Sequence, residues 1–309
     1  MTQSPARDGN QRNALIFLFL APIAWGVSFP ASKVALGALP AFPFMAWNRL
    51  LGFLTVFCAL PWIARKQVSW AALRRVALPG VFLGGLLFVS FTLQTWGIQR
   101  TTATNAGFIT GLYVVVTPVL MLVLFREPAG KWVWASVAIS VVGLGLLSML
   151  QPRLSKPGLG DLLVLGGTLG WATHVITMGK LAPKHPVVLL ALAQVGATTL
   201  MHVVAAVPSG AHVQAAGSVW PALLVAGVLG SGIGYAAQAM AQTQITPSRA
   251  AIVLAGESVV AAVSSAIWLG ERLKPHQILG AALLVAAMVL SELRARRPEA
   301  ARLDAGAAP

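Results

Sequence analysis

The chain has 309 residues, of which 57% are hydrophobic and only 10% are charged, and its mean hydropathy is +0.78. This composition excludes an ordinary soluble domain, in which about a quarter of the residues are charged, and it indicates an integral membrane protein. The net charge of +14 does not predict nucleic-acid binding, because the Lys and Arg residues lie in short gaps between apolar runs rather than in basic patches. The single cysteine, Cys58, excludes a disulfide framework within the chain.

Ten apolar runs follow one another, each close to the ~20 residues that a helix needs to cross a bilayer. They cover about residues 14–32, 42–63, 76–97, 104–125, 132–150, 160–180, 187–207, 219–241, 250–269 and 276–293. Most are separated by Pro, Gly or charged residues, as in Arg126-Glu127-Pro128. The sequence therefore predicts an all-α polytopic membrane protein with ten transmembrane helices.

The basic residues predict how these helices are oriented. In a ten-helix arrangement, 15 of the 22 Lys and Arg residues fall on the side that carries both termini, 6 fall on the other side, and Arg49 lies within a helix. Cytoplasmic segments are enriched in Lys and Arg. Both termini are therefore predicted to be cytoplasmic.

The two halves of the chain resemble each other. A shift of 144 residues places 104–127 on 248–271 without a gap and Gln94 on Gln238, and a shift of 146 places Trp25 on Trp171. We therefore predict two five-helix repeats, over 14–155 and 156–293, with a tail at 1–13 and another at 294–309. Because five is odd, the repeats are predicted to be inverted relative to each other, which places a substrate near the midplane where they meet.

Two ionisable side chains lie inside apolar runs, Glu257 in 250–269 and Arg49 in 42–63. A charge at the centre of a membrane helix costs ~2.5–3.5 kcal/mol on insertion scales, so both are expected to face protein or a wet cavity. One interpretation is a structural ion pair between them. The other is a transport site, in which Glu257 binds a substrate ammonium or a proton, and Arg49 balances Glu257 or receives a substrate carboxylate.

Polar and aromatic residues recur on single helix faces, as Ser231, Tyr235, Gln238 and Gln242 do in the eighth run. Such faces either line a cavity or hydrogen-bond to neighbouring helices. His174 is predicted to be either a member of a proton relay or a hydrogen-bonded packing residue. The candidate substrate-binding residues are Trp25, Asn48, Arg49, Gln94, Tyr113, Trp171, His174, Tyr235, Gln238 and Glu257.

Three segments carry a more specific signal. They are Trp25-Gly26-Val27-Ser28-Phe29 with Lys33, the stretch 105–113 leading to Thr117-Pro118, and Glu257 followed by Trp268-Leu269-Gly270-Glu271-Arg272-Leu273. In this order they resemble the EamA-type branch of the drug/metabolite transporter (DMT) superfamily, over about 14–293. Many members have Glu-Pro where this chain has Glu257-Ser258, so the resemblance does not predict a kink there.

The resemblance implies a secondary carrier of a bacterial-type inner membrane that exports small metabolites, mainly amino acids and related compounds, by alternating access around a central cavity. The aromatic and Gln-bearing helix faces favour neutral or aromatic amino acids among them. No enzyme activity, cofactor or metal is expected, because the sequence has no phosphate-binding loop, metal-ligand cluster or spaced acid pair. Energy is expected from the substrate gradient or from protons. Two alternatives stay open: a non-transporting lipid-modifying enzyme or helical scaffold, and a DMT carrier for sugars, nucleosides or cationic drugs.

Overall fold

Helices account for the regular structure because the bilayer core offers no water to backbone N–H and C=O groups, which an α-helix satisfies within one segment. The computed structural model describes residues 5–101, 103–148, 158–209, 219–270 and 272–305. Within these residues ten helical spans are long and apolar enough to cross a membrane. The predicted all-α fold with ten crossing helices is therefore confirmed.

The spans are numbered here in chain order. They are Pro5–Leu36, Ala41–Ile63, Trp70–Ile98, Ala103–Gly111 with Tyr113–Phe125, Lys131–Ser148, Leu159–Leu181, Val187–Ala206, Trp220–Ala241, Pro247–Leu254 with Glu257–Leu269, and Pro275–Ala305. The first and last helices extend into the predicted tails 1–13 and 294–309. The predicted boundary between residues 155 and 156, and the motif residue Glu271, lie outside the described residues.

Three spans depart from the continuous α-helices expected from the apolar runs. The fourth is interrupted at Leu112 and the ninth at Ala255 and Gly256, and the eighth contains a π-helix over Val225–Gly234. The interruption in the ninth span lies directly before Glu257, although no proline follows that residue. It is a tightened turn, in which the Gly256 amide donates to the carbonyl of Val253, three residues back.

Helix packing joins the two halves of the chain. The third span packs against the sixth and seventh, and correspondingly the eighth packs against the first and second. The first and ninth spans pack together, as do their counterparts, the sixth and fourth. The second, fourth and fifth spans each contact their own counterpart five spans later. A five-plus-five repeat gives this exchange symmetry, and the opposite insertion of the two halves stays a prediction.

Small residues allow the closest of these contacts, as is usual between membrane helices. In the fifth and tenth spans, a Cβ atom on Gly143 would lie 2.8 Å from the carbonyl oxygen of Gly280, and one on Gly280 would lie 2.6 Å from that of Gly143. Gly145 lies on the same helix, but a Cβ atom there would meet nothing within 4 Å. Substituting each of these two glycines of the fifth span in turn therefore distinguishes the effect of close packing from the effect of helix propensity.

We expect Gly143→Ala to destabilise the protein by about 1–3 kcal/mol, the usual cost of overpacking. Gly145→Ala should cause no loss and gain up to ~1 kcal/mol of helix propensity. Thermal unfolding of the two detergent-purified variants beside the unmodified protein measures the difference. Equal melting temperatures for the two variants would contradict the close approach of the fifth and tenth spans.

Candidate functional site

Four aromatic side chains from four spans meet near the middle of the membrane-spanning region: Trp25, Phe91, Trp171 and Tyr235, here called the aromatic cluster. The ring centroids of Trp25 and Tyr235 are 5.3 Å apart, and those of Phe91 and Trp171 are 4.5 Å apart in an edge-to-face arrangement. Trp171 and Tyr235 are nearly parallel, with centroids 6.3 Å apart. These are ordinary separations for attractive aromatic pairs, so the cluster ties the first, third, sixth and eighth spans together.

The glycine-rich π-helix of the eighth span makes room for this cluster. A Cβ atom on Gly234 would collide with the Trp25 indole, so only glycine permits that ring to lie against the helix. The Trp25 indole N–H donates to the carbonyl oxygen of Gly230 at 2.9 Å. This glycine-rich segment therefore packs closely against the first span, and it fixes one wall of the cluster.

Arg49 projects from the second span onto the aromatic cluster and is only 4% exposed. Its Nη1 donates to the Ser231 hydroxyl at 2.5 Å, and that hydroxyl donates in turn to the Asn48 side-chain oxygen. The guanidinium carbon lies 3.4 Å from the centroid of the Phe91 ring and 5.7 Å from that of Tyr235. Cation–π contact and hydrogen bonds together make a buried positive charge tolerable. The Nε of Arg49 has no partner among the described residues.

Glu257 begins the second helical segment of the ninth span, about halfway along it, and is partly buried. Its carboxyl group lies within range of Coulombic interaction with the phenol groups of Tyr113 and Tyr235. Among the described residues no ion pair joins Glu257 to Arg49, because Arg49 is engaged by Ser231 and Phe91 instead. The structural ion pair, one of the two alternatives from the sequence, is therefore not formed.

Two further candidates, Gln94 and His174, each form a hydrogen bond with another polar side chain. Gln94 donates to the Thr110 hydroxyl at 2.9 Å, which links the third and fourth spans. His174 is buried, with its Nε2 2.8 Å from the side-chain oxygen of Gln194. Its ring centroid is 6.0 Å from that of Tyr235, so it lies at the edge of the aromatic cluster.

Gln238 is 1% exposed and donates to Gln242 at 3.1 Å, and Gln242 donates to the carbonyl oxygen of Val175 at 2.8 Å. The Gln238 side-chain oxygen is buried without a partner in the described part of the chain. The polar face of the eighth span therefore points inward, as its spacing predicted. It contributes both a contact between helices and an unused acceptor.

Two residues of this site were missed from the sequence, Phe91 and Gln194. Phe91 lies three residues before Gln94 on the third span, a spacing that places both on one helix face. Gln194 is a lone amide in the apolar seventh span, a type of residue that is costly in lipid and therefore expected to have a partner. Both positions carried a signal in the sequence.

Cavities open at both ends of the protein. One of about 470 Å³ lies at the face that carries the termini, lined in part by Gln67, His185 and Gln244. Another of about 290 Å³ lies at the opposite face, lined in part by Ser265 and Arg272. Neither is lined by a residue of the aromatic cluster. In the described ranges, no three His, Cys, Asp or Glu side chains are grouped closely enough to hold a metal ion.

In the described part of the chain, ten crossing helices form two halves that pack into each other. Arg49, Glu257 and the aromatic cluster lie within these helices, and cavities open at the two faces. This arrangement is that of a multi-pass membrane protein and is typical of transporters. The sequence profile of the EamA-like transporter family matches residues 12–149 and again residues 158–293. The chain belongs to the EamA-like transporter family, and it is a membrane transporter.

The chain is similar to known transporters over nearly its whole length. The threonine/homoserine exporter RhtA of Escherichia coli (strain K12) is 28% identical over 294 residues, which cover 92% of this chain and 92% of that protein. An uncharacterized transporter of Archaeoglobus fulgidus is 28% identical over 277 residues, covering 90% of this chain and 85% of the relative. One crystal structure has the same fold, with a TM-score of 0.77 at 18% identity, covering 93% of this chain and 98% of that one.

Proposed function

We propose that this transporter exports small neutral amino acids by alternating access, and that it binds their zwitterion between Arg49 and Glu257. One observation carries the proposal. Two ionisable groups of opposite charge lie inside the membrane-spanning region without pairing with each other. Arg49 lies against the rings of Phe91 and Tyr235, and the backbone of Glu257 packs beside Gly26, the residue after Trp25. A free amino acid brings a carboxylate and an ammonium group, the two charges that this arrangement would neutralise.

Arg49 is suited to a carboxylate because its planar guanidinium group presents several N–H donors in a fixed geometry. The Ser231 and Phe91 contacts hold the group in place and leave the Nε donor unused. A group held this way needs little reorganisation when a substrate arrives, which lowers the entropic cost of binding. We assign Arg49 to the substrate carboxylate, with Asn48 orienting it through Ser231.

Glu257 is suited to the ammonium group because its carboxylate lies within the ninth span and has no hydrogen-bond partner among the described residues. A buried charge is strongly stabilised by an opposite charge that brings hydrogen bonds. When no substrate is bound, a proton satisfies the same carboxylate. Glu257 is therefore compatible both with export driven by the substrate gradient and with export coupled to protons.

The aromatic cluster supplies the walls of the proposed site and keeps it free of water. The rings of Trp25, Trp171 and Tyr235 lie close to one another, so a bound substrate has little room beside them and a short side chain is favoured. This favours small neutral amino acids over the aromatic ones that the sequence alone also allowed. The name of the RhtA relative, a threonine/homoserine exporter, supports the same class of substrate. Sugars and nucleosides carry no pair of opposite charges, and cationic drugs would leave Arg49 uncompensated.

Tyr235 is only 3% exposed, and neither of the two cavities is lined by the aromatic cluster. Transport then requires the two halves to rock about the midplane, so that the site opens to each face in turn.

The first test is uptake of labelled amino acids by proteoliposomes, with and without a pH gradient. We expect Glu257→Gln to lower the flux of small neutral amino acids about tenfold or more, because it removes a charge-assisted contact worth about 1.5–3 kcal/mol. The matched control is Glu127→Gln, which breaks a partly exposed ion pair with Lys180 at the face that carries the termini and should leave flux nearly unchanged. Equal flux in both variants would contradict the role of Glu257.

The second test probes alternating access by cysteine labelling in a Cys58→Ala background. We expect Gln238→Cys to react with a membrane-impermeant thiol reagent added at either face, and substrate to slow the reaction. Leu190→Cys, which is fully buried in a separate hydrophobic cluster of the seventh span, is the control and should stay unreactive. A Gln238→Cys variant that is never labelled from one of the two faces would contradict alternating access at this site.

A further inference from the structure

The interruptions in the fourth and ninth spans are the same structure, repeated. With the 144-residue shift, Leu112 corresponds to Gly256 and Tyr113 corresponds to Glu257. The amide of Leu112 donates to the carbonyl three residues back at 3.2 Å, and that of Gly256 does so at 3.0 Å. The carbonyl of Leu112 accepts from the amides three and four residues ahead, and so does that of Gly256. Tyr113 and Glu257 therefore hold equivalent places in the two halves.

Tyr113 and Glu257 both lie within the interior of the helix bundle. The fourth and ninth spans pack against each other, and Tyr113 belongs to the same hydrophobic cluster as Ile252 and Val253, which precede the second interruption. Trp25 and Trp171 of the aromatic cluster pack against this same hydrophobic cluster, and so does Val259, two residues beyond Glu257. A substrate ammonium held by Glu257 therefore brings a short substrate side chain close to the Tyr113 hydroxyl.

The first half presents hydroxyl groups where the second half presents a carboxylate. Tyr113 is 5% exposed and Thr117, one turn further along the same helix face, is fully buried. Neither hydroxyl has a hydrogen-bond partner among the described residues. Buried hydroxyls are nearly always paired in native proteins, so these two, four residues apart on one helix, are available to a hydrogen-bonding group of a substrate.

That group must be neutral and able to form hydrogen bonds. The charges of a zwitterion are already accounted for by Arg49 and Glu257, and a further charge beside two hydroxyls would be buried without compensation. A hydroxyl on the substrate side chain meets the requirement, since it donates and accepts hydrogen bonds.

Resting on the proposed function, we infer that Tyr113 and Thr117 determine specificity by hydrogen-bonding a hydroxyl group on the substrate side chain. The transporter therefore prefers hydroxyl-bearing amino acids to apolar ones of the same shape. Threonine and valine are the discriminating pair, because they differ in a hydroxyl replacing a methyl group. A site built to hydrogen-bond a hydroxyl rejects the analogue that lacks it, since its own polar groups are then left unpaired.

The test measures threonine and valine flux in proteoliposomes of the full chain. In the unmodified protein we expect threonine to be preferred. In Tyr113→Phe the ratio of threonine to valine flux should fall about tenfold, which corresponds to the loss of one hydrogen bond. Valine flux should persist, and it reports that the variant is folded and working. Thr117→Val should lower the ratio in the same direction.

Thr173→Val is the matched control, because the Thr173 hydroxyl donates to the carbonyl of Leu169 within its own helix and should not affect the ratio. Three outcomes would overturn the inference: equal threonine and valine flux in the unmodified protein, an unchanged ratio in Tyr113→Phe, or an equal loss of both fluxes, which indicates a structural role. Absence of flux for every amino acid would instead overturn the proposed function as well.

Discussion

The cost of a charged or unpaired polar group inside a bilayer constrains the whole structure. Arg49 and Glu257 can exist within the second and ninth spans only because eight other helices keep them from lipid. The Arg49 charge is held by Ser231 and by the face of Phe91. Glu257 has no such partner in the described part of the chain. This difference between a buried and a partly buried ionisable group supports the proposed substrate site over a pair that only stabilises the fold.

The exchange-symmetric packing of the two halves explains how such a site forms. Each half contributes its third span to one side of the interior and its fourth to the other, and the counterparts from the second half close it. Equivalent tightened turns bring Tyr113 and Glu257 to the middle of the membrane-spanning region. The halves have diverged at these positions, one to a phenol and one to a carboxylate. A symmetric scaffold thereby gives an asymmetric site, which an asymmetric solute such as an amino acid requires.

The sequence was sufficient for the ten helices and the inward polar face of the eighth span, because run length and helical spacing are local signals. It also indicated that Arg49 and Glu257 are special. It did not reveal the turn before Glu257, since Gly256 tightens the helix without the proline that usually marks such a place. Nor did it show that Phe91 rather than Glu257 contacts Arg49, because that choice depends on the relative rotation of the second, third and ninth spans. That rotation is set by tertiary packing, which no local pattern encodes.

The central claim is that both charges of the substrate are recognised in one site, and ligand-induced thermal stabilisation of the purified protein tests it most directly. A ligand that binds the folded state raises the melting temperature in proportion to its binding free energy. Threonine carries both charges, whereas N-acetylthreonine keeps only the carboxylate and threonine methyl ester keeps only the ammonium group. The account predicts that threonine stabilises the protein and that masking either the ammonium or the carboxylate removes most of the effect. Equal stabilisation by all three compounds would contradict it.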